Sequence, residues 1–317
     1  MLIDILLLAA GLLLVVFGAD FLVDGASGVA RRVGVSEFVI GLTIVGFGTS
    51  CPELVVSLNG AFNGLADIST GNVVGSNIFN TLLILGVTAL LGPIAVSSAN
   101  RKRDIPVTAA STLLLVVCGL AGNGLSRIDG IIFLLLFALY IYLSFKFDDK
   151  TQTVSETEGG ESPNLPKSAV LVIAGLSALI FGGDLFVDSA VKVAKELGVS
   201  DKFIAITLLA GGTSLPELAT CIVSSFKHKD QLALGNILGS NVFNILLILG
   251  VSSVVTPLSF RNIDFVDLGV LVASILLVWL STVTGRKKRI DRSEGALMIL
   301  LFAAYYVYLF FNSNALA

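Results

Sequence analysis

Ten long apolar runs alternate with short charged or Gly-rich breaks along this chain. They lie at about 2–29, 36–64, 70–97, 105–122, 128–147, 168–195, 202–226, 231–256, 264–284 and 293–311. About 20 apolar residues cross a bilayer as a helix, and the longer runs imply tilt or interruption. The second, third, seventh and eighth runs carry Gly, Pro, Ser, Thr and Asn within them, so these are expected to break. The pattern predicts an all-α integral membrane protein of ten transmembrane helices, with helices 2, 3, 7 and 8 broken.

The one long polar stretch, Asp148 to Pro166, holds five acidic residues, Gly159-Gly160 and two prolines, the composition of a flexible linker. It divides the chain into a first transmembrane repeat at 1–147, an acidic linker at 148–167 and a second repeat at 168–317. The halves are duplicates. Glu53 and Glu217 are 217 − 53 = 164 residues apart, and the same offset relates Asp20 to Asp184 and Asp24 to Asp188. It also relates Gly71-Asn72 to Gly235-Asn236, Gly75-Ser76-Asn77 to Gly239-Ser240-Asn241, and Phe79-Asn80 to Phe243-Asn244. Each half holds five spans, an odd number, so the second must enter the membrane from the opposite side. Inverted repeats with discontinuous helices meeting at mid-depth recur among secondary transporters.

Composition agrees. Of 317 residues, 55% are hydrophobic and 14% charged, against about a quarter charged in soluble domains. Leu2 to Phe17 lacks a basic leader and runs on into apolar sequence, so no cleavable signal peptide is expected. Breaks after odd-numbered spans hold fifteen Lys and Arg and those after even-numbered spans five, together the 20 of the chain. Lys and Arg favour the cytoplasmic side, so the linker is expected in the cytoplasm and both termini outside the cell membrane. Cys51, Cys118 and Cys221 are odd in number and lie in apolar segments, which excludes a disulfide framework.

The candidate chemistry lies in Gly48-Thr49-Ser50-Cys51-Pro52-Glu53 and its echo Gly212-Thr213-Ser214-Leu215-Pro216-Glu217. A charge at the centre of a membrane helix costs about 2.5–3.5 kcal/mol on insertion scales, so each glutamate marks a functional site. Pro52 forces a break, Ser50 or Thr49 suits the N-cap of the restarted helix, and Gly46 and Gly48 are expected to let the chain unwind. Carboxylate, hydroxyl and freed carbonyl oxygens within one turn are the ligands of a hard cation. In a helix Ser76 and Asn80 share a face, as do Ser240 and Asn244, adding neutral oxygens. Asn77 and Asn241 fall off that face and are expected to bond backbone or a neighbouring helix. Two formal charges suit one Ca²⁺ or a few Na⁺. Soft metals are excluded, because the only histidine, His228, lies in a charged loop. Asp20, Asp24, Asp184 and Asp188 sit near span ends, where a structural or gating role is expected.

The duplicated G-T-S-x-P-E and G-N-x-x-G-S-N-x-F-N motifs resemble the α-repeats of the calcium/cation antiporter superfamily, and most closely the prokaryotic sodium/calcium exchangers. The resemblance implies Na⁺/Ca²⁺ exchange by alternating access, with Glu53 and Glu217 as central ligands. Thr49 and Thr213 would lend oxygens to Ca²⁺. Ser50, Ser214, Ser76 and Ser240, with the carbonyls of Gly46 and Ala210, would complete flanking Na⁺ sites. Spans one and six would slide as a pair against the other eight. A single chain would suffice, with no cofactor, no catalysis and no nucleic-acid partner, only the lipid bilayer and the transported ions. Asn80 and Asn244 depart from many relatives, which carry an Asp at one of these positions. That departure bears on the coupling ion and leaves a proton-coupled or K⁺-dependent cation exchanger of the same fold as the alternative. A membrane hydrolase would need H-E-x-x-H or facing aspartates, which are missing, and a passive channel would not need inverted broken helices.

Overall fold

The computed structural model describes residues 2–122, 124–148, 164–198, 210–261, 263–284 and 289–315. It is essentially all-helical. In chain order the helices are α1 (Leu2–Val33), α2 (Glu37–Ile40), α3 (Gly46–Thr49), α4 (Cys51–Phe62), α5 (Ala66–Ile78), α6 (Leu85–Leu91), α7 (Ile105–Gly122) and α8 (Arg127–Lys146). There follow α9 (Leu165–Glu196), α10 (Ala210–Gly212), α11 (Leu215–Phe226), α12 (Asp230–Val242), α13 (Leu249–Val255), α14 (Phe265–Thr284) and α15 (Arg292–Ala315). Eight described helices are long and apolar enough to cross a membrane, and a pair bent by 48° at Ser50 makes a ninth. The expected seventh span at 202–226 reaches the described residues only as α10 and α11. Most of the linker at 148–167 also lies outside them.

Spans three and eight were expected to break and do not. Each runs on as one helix that widens into a π stretch, at Phe79–Ile84 and Phe243–Ile248. Neither helix has a proline within it, Pro93 falling only after α6 ends at Leu91, and glycine alone lowers helix propensity without removing a backbone donor. Nor do Gly46 and Gly48 unwind. A π stretch at Gly41–Val45 leads into α3, and the Ser50 N–H still donates to the Gly46 carbonyl at 3.1 Å. The break is confined to Ser50 (φ −84°, ψ 6°), where Pro52 supplies no N–H to continue the ladder.

The halves meet reciprocally. Two short antiparallel ribbons each take one strand from either half: β1 (Ile94–Ala95) pairs with β4 (Arg289–Ile290), and β2 (Gly124–Leu125) with β3 (Leu258–Ser259). The longest contact is between α1 and α9, which run antiparallel. Gly11, Gly18 and Gly25 lie seven residues apart on α1 and face Gly182, Gly175 and Ser168 of α9. Small residues let membrane helices approach until backbones touch. A Cβ on Gly18 would stand 2.8 Å from the Leu179 nitrogen and 2.9 Å from the Gly175 oxygen. Those atoms belong to backbone and cannot rotate aside.

Gly18→Ala should therefore force the two helices apart and cost about 1–3 kcal/mol, as overpacking does. The expected outcome is a lower thermal unfolding midpoint in detergent; an unchanged midpoint would show that the pair parts freely.

Candidate ion-binding site

The two G-T-S-x-P-E motifs fold alike because their sequences do. Ser50 and Ser214 are the N-cap residues of α4 and α11, each helix has proline in its first turn, and each runs 12 residues. An N-cap serine usually turns its hydroxyl onto its own helix. Neither does so here. Instead the Ser50 hydroxyl donates to Glu217 Oε1 at 3.2 Å, and the Ser214 hydroxyl donates to Glu53 Oε1, also at 3.2 Å. Each half thus hands its cap to the other half's carboxylate.

Glu53 is 0% exposed and Glu217 1%. The second carboxylate oxygen of each, Oε2, is buried without a hydrogen-bond partner. Among the described residues no Lys or Arg pairs with either; the lysine and arginine bridges lie on other carboxylates. Thr213 and Ser214 are in reach of Glu53, and Thr49, Ser50 and Ser240 of Glu217. The Ser240 hydroxyl also donates to the Gly46 carbonyl at 3.4 Å, joining the two halves' motifs directly. That approach is possible because Gly41, Gly235 and Gly239 leave no side chain between α12 and the π stretch before α3.

The remaining candidates divide. Asn80 is buried, and neither its oxygen nor its nitrogen has a partner. Asn244 spends its nitrogen on Asn77 Oδ1 at 2.9 Å but keeps a buried, unpartnered oxygen. Ser76 is buried. Ala210 opens α10, just before Thr213. Asn77 and Asn241 bond as their positions suggested: Asn77 donates to the Asn241 carbonyl at 3.2 Å and Asn241 to the Thr81 hydroxyl at 2.8 Å.

Two residues that sequence reasoning passed over support the motifs from behind. Asn72 donates to the Glu53 carbonyl at 3.2 Å and to the Ser57 hydroxyl at 3.1 Å. Asn236 offers its oxygen at 3.1 Å to the Thr49 hydroxyl. Their signal was the matched Gly-Asn pair at the shared offset. The sulfurs are turned away: Cys51 bonds back to the Phe47 carbonyl and Cys221 meets Asn236. Among the described residues no three His, Cys, Asp or Glu side chains gather as a metal cluster. Two carboxylates ringed by hydroxyl, amide and carbonyl oxygens are instead a hard-cation donor set.

The chain matches the family model described as "Sodium/calcium exchanger protein" over residues 3–146 and 167–311. The chain belongs to the sodium/calcium exchanger family. It is 33% identical to the sodium/calcium exchanger MaX1 of Methanosarcina acetivorans, over 98% of this chain and 99% of that one. It is 36% identical to the inner membrane protein YrbG of Escherichia coli, over 100% of this chain and 99% of the relative. Its fold is similar to that of the sodium-calcium exchanger NCX_Mj soaked with zero Na⁺ and Ca²⁺, with a TM-score of 0.85 and 35% identity. That likeness spans 97% of this chain and 99% of the other. This is a family of multi-pass membrane antiporters of cations.

Two buried carboxylates with no basic partner among the described residues predict a stability that depends on bound cation. In chelator without Na⁺, Glu53→Gln and Glu217→Gln should each unfold at a higher temperature than the wild type, because one charge is gone. Added Ca²⁺ should raise the wild-type midpoint, by about 2.7 kcal/mol of stability at a hundredfold excess over Kd, and leave the variants nearly unmoved. Equal Ca²⁺ shifts in all three proteins would place the ion elsewhere.

Proposed function

We propose that this protein is a secondary active antiporter that exchanges Na⁺ for Ca²⁺ across the cell membrane by alternating access. The observation that carries the reading is the pair of fully buried glutamates, one from each half. Each is hydrogen-bonded by the other half's serine, and each keeps a bare oxygen and, among the described residues, no basic partner. A transported cation is the natural counter-charge for such a pair.

Glu53 and Glu217 are the central ligands, with Thr49 and Thr213 lending oxygens to Ca²⁺. Ser50, Ser214, Ser76 and Ser240, with the carbonyls of Gly46 and Ala210, form the flanking Na⁺ sites, and Asn80 and Asn244 add neutral oxygens. The fold that holds them has ten transmembrane helices in two inverted five-helix repeats, 1–147 and 168–317. The reciprocal ribbons and the crossed serine–glutamate bonds support that inversion. The linker at 148–167 faces the cytoplasm and both termini face out, as the Lys and Arg placement argues. A single chain completes the site. α1 and α9, joined through their glycines, slide together to switch access. The names of MaX1 and NCX_Mj, both sodium/calcium exchangers, point the same way.

The charge count fixes an electrical consequence. A site with two carboxylates is neutral with one Ca²⁺ and carries one net positive charge with three Na⁺. Exchange at that ratio is therefore electrogenic, and a K⁺-diffusion potential applied with valinomycin should change the rate.

The test is Ca²⁺ uptake into proteoliposomes loaded with Na⁺ and diluted into choline. We expect uptake driven by the Na⁺ gradient, and at least a tenfold loss in Glu53→Gln and in Glu217→Gln. Uptake driven only by a proton gradient would keep the site and move the protein to the proton-coupled branch. No counter-transport under either gradient would overturn the assignment of Ca²⁺.

A further inference from the structure

The inverted halves are alike in backbone at the turns that join their broken helices, but not in charge. One turn is Asn63-Gly64-Leu65, the other Lys227-His228-Lys229. Asn63 and Lys227 have φ, ψ of −89°, 7° and −86°, 5°; Leu65 and Lys229 have −98°, 56° and −103°, 53°. The central residue is left-handed in both, Gly64 at φ +72° and His228 at φ +56°. The same loop is thus built twice, once neutral and once cationic.

The cationic copy is spanned by ion pairs. Lys227 Nζ is 2.7 Å from Asp20 Oδ1 and 2.7 Å from Asp24 Oδ1, carboxylates one turn apart on α1. Lys229 Nζ is 2.6 Å from Glu37 Oε1 at the start of α2, and Gln231 donates to the Ala95 carbonyl at 2.7 Å. Lys229 and Gln231 therefore brace the turn against α2 and β1, outside the α1–α9 pair, while Lys227 reaches across to that pair. At the neutral copy neither Asn63 nor Leu65 carries a charge with which to form such ion pairs. Asp184 and Asp188 stand on α9 at the positions matching Asp20 and Asp24, and both are exposed. Among the described residues neither has a basic partner, and the Asn63 amide is spent on the Asn59 carbonyl at 2.8 Å.

We propose that Lys227 is a one-sided latch. It positions α1 against α11 at one end of the molecule and favours the conformation in which that end is closed. The proposal rests on the reading that α1 and α9 slide together. Because they are locked backbone to backbone, closing one end opens the other. The mirrored conformation would bring Asp184 and Asp188 toward Asn63, which offers no ammonium, so the two end states are unequal by the Lys227 pairs. Lys227 is 26% exposed and its partners 43% and 57%, so solvent screens the pairs and the bias is modest, about fivefold.

Hydrogen exchange of the full-length protein in nanodiscs, in Na⁺-free buffer with chelator, tests this without any transport step. In Lys227→Gln we expect about fivefold faster exchange around residues 20–36 and 224–232, and slower exchange around 63–65 and 184–198. The slowing at the far end is the decisive readout, since a merely loosened turn would not produce it. Adding Asn63→Lys to Lys227→Gln should deepen the far-end protection, because Asp184 and Asp188 then gain a partner. Faster exchange confined to the Lys227 end, or no change at either end, would overturn the latch. Wild-type liposomes that fail to exchange Ca²⁺ would overturn the transport reading instead, and leave the exchange pattern standing.

Discussion

The structure is organised around the burial of two carboxylates, Glu53 and Glu217, in an apolar helix bundle, with no basic partner among the described residues. A lone buried charge is expelled or neutralised, and two like charges sharing one site are worse. A fixed lysine would solve the problem permanently, and would leave the proposed exchange no counter-charge to swap. One oxygen of each glutamate is unpaired, which in the proposed exchange leaves the electrostatic demand open to an ion that can leave. The hydroxyls of Ser50 and Ser214 then act as positioners. They hold one oxygen of each carboxylate from the opposite half, so that the free oxygens stay oriented when no ion binds.

Duplication makes this geometry economical. One motif, folded once, gives a proline-started helix whose N-cap serine is free to look outward. Folded twice and paired reciprocally, it supplies each carboxylate with the other's serine, so neither half can assemble its site alone. The same reciprocity recurs at the rims, where each two-residue ribbon takes one strand from each half. Backbone groups that leave a helix end still need partners, and the ribbons supply them. The α1–α9 zipper has a different character. Its closest approaches are glycine against backbone along the helices, flanked by Val15 and Leu22 of α1 and Val172 and Leu179 of α9, which suits a pair that moves as one body.

The paired motifs were legible in the sequence because their polar residues interrupt apolar runs. Gly, Pro, Ser and Glu stand out in an apolar run, and a gapless offset of 164 residues marks which of them act together. The sequence carried local helix geometry poorly. Glycine density around Gly46 and in spans three and eight suggested breaks, but a helix loses its ladder where a donor is missing, as at Pro52, and Pro93 of span three comes only after its helix has ended. The π stretches at Phe79–Ile84 and Phe243–Ile248 have no compositional signature. They open each helix at Asn80 and Asn244, whose short amide side chains carry unpartnered atoms there. Asn72 and Asn236 went unassigned for the opposite reason: their motif was visible, but second-layer support is a matter of distance, which spacing along one helix does not encode.

What the repeat hides is its own asymmetry. Aligning the halves draws attention to matches, and the informative position is a mismatch, Asn63 against Lys227, where the backbone is the same and the charge is not. A perfectly two-fold transporter would have two end states of equal energy, and no preference for either side of the membrane. A real one works between compartments of different composition and potential, so some term must break the degeneracy. Placing that term in a partly solvated ion pair at the rim, away from Glu53 and Glu217, separates the bias from the binding site. Affinity and conformational preference can then change independently, one through the oxygens at the centre and the other through a single lysine at the edge.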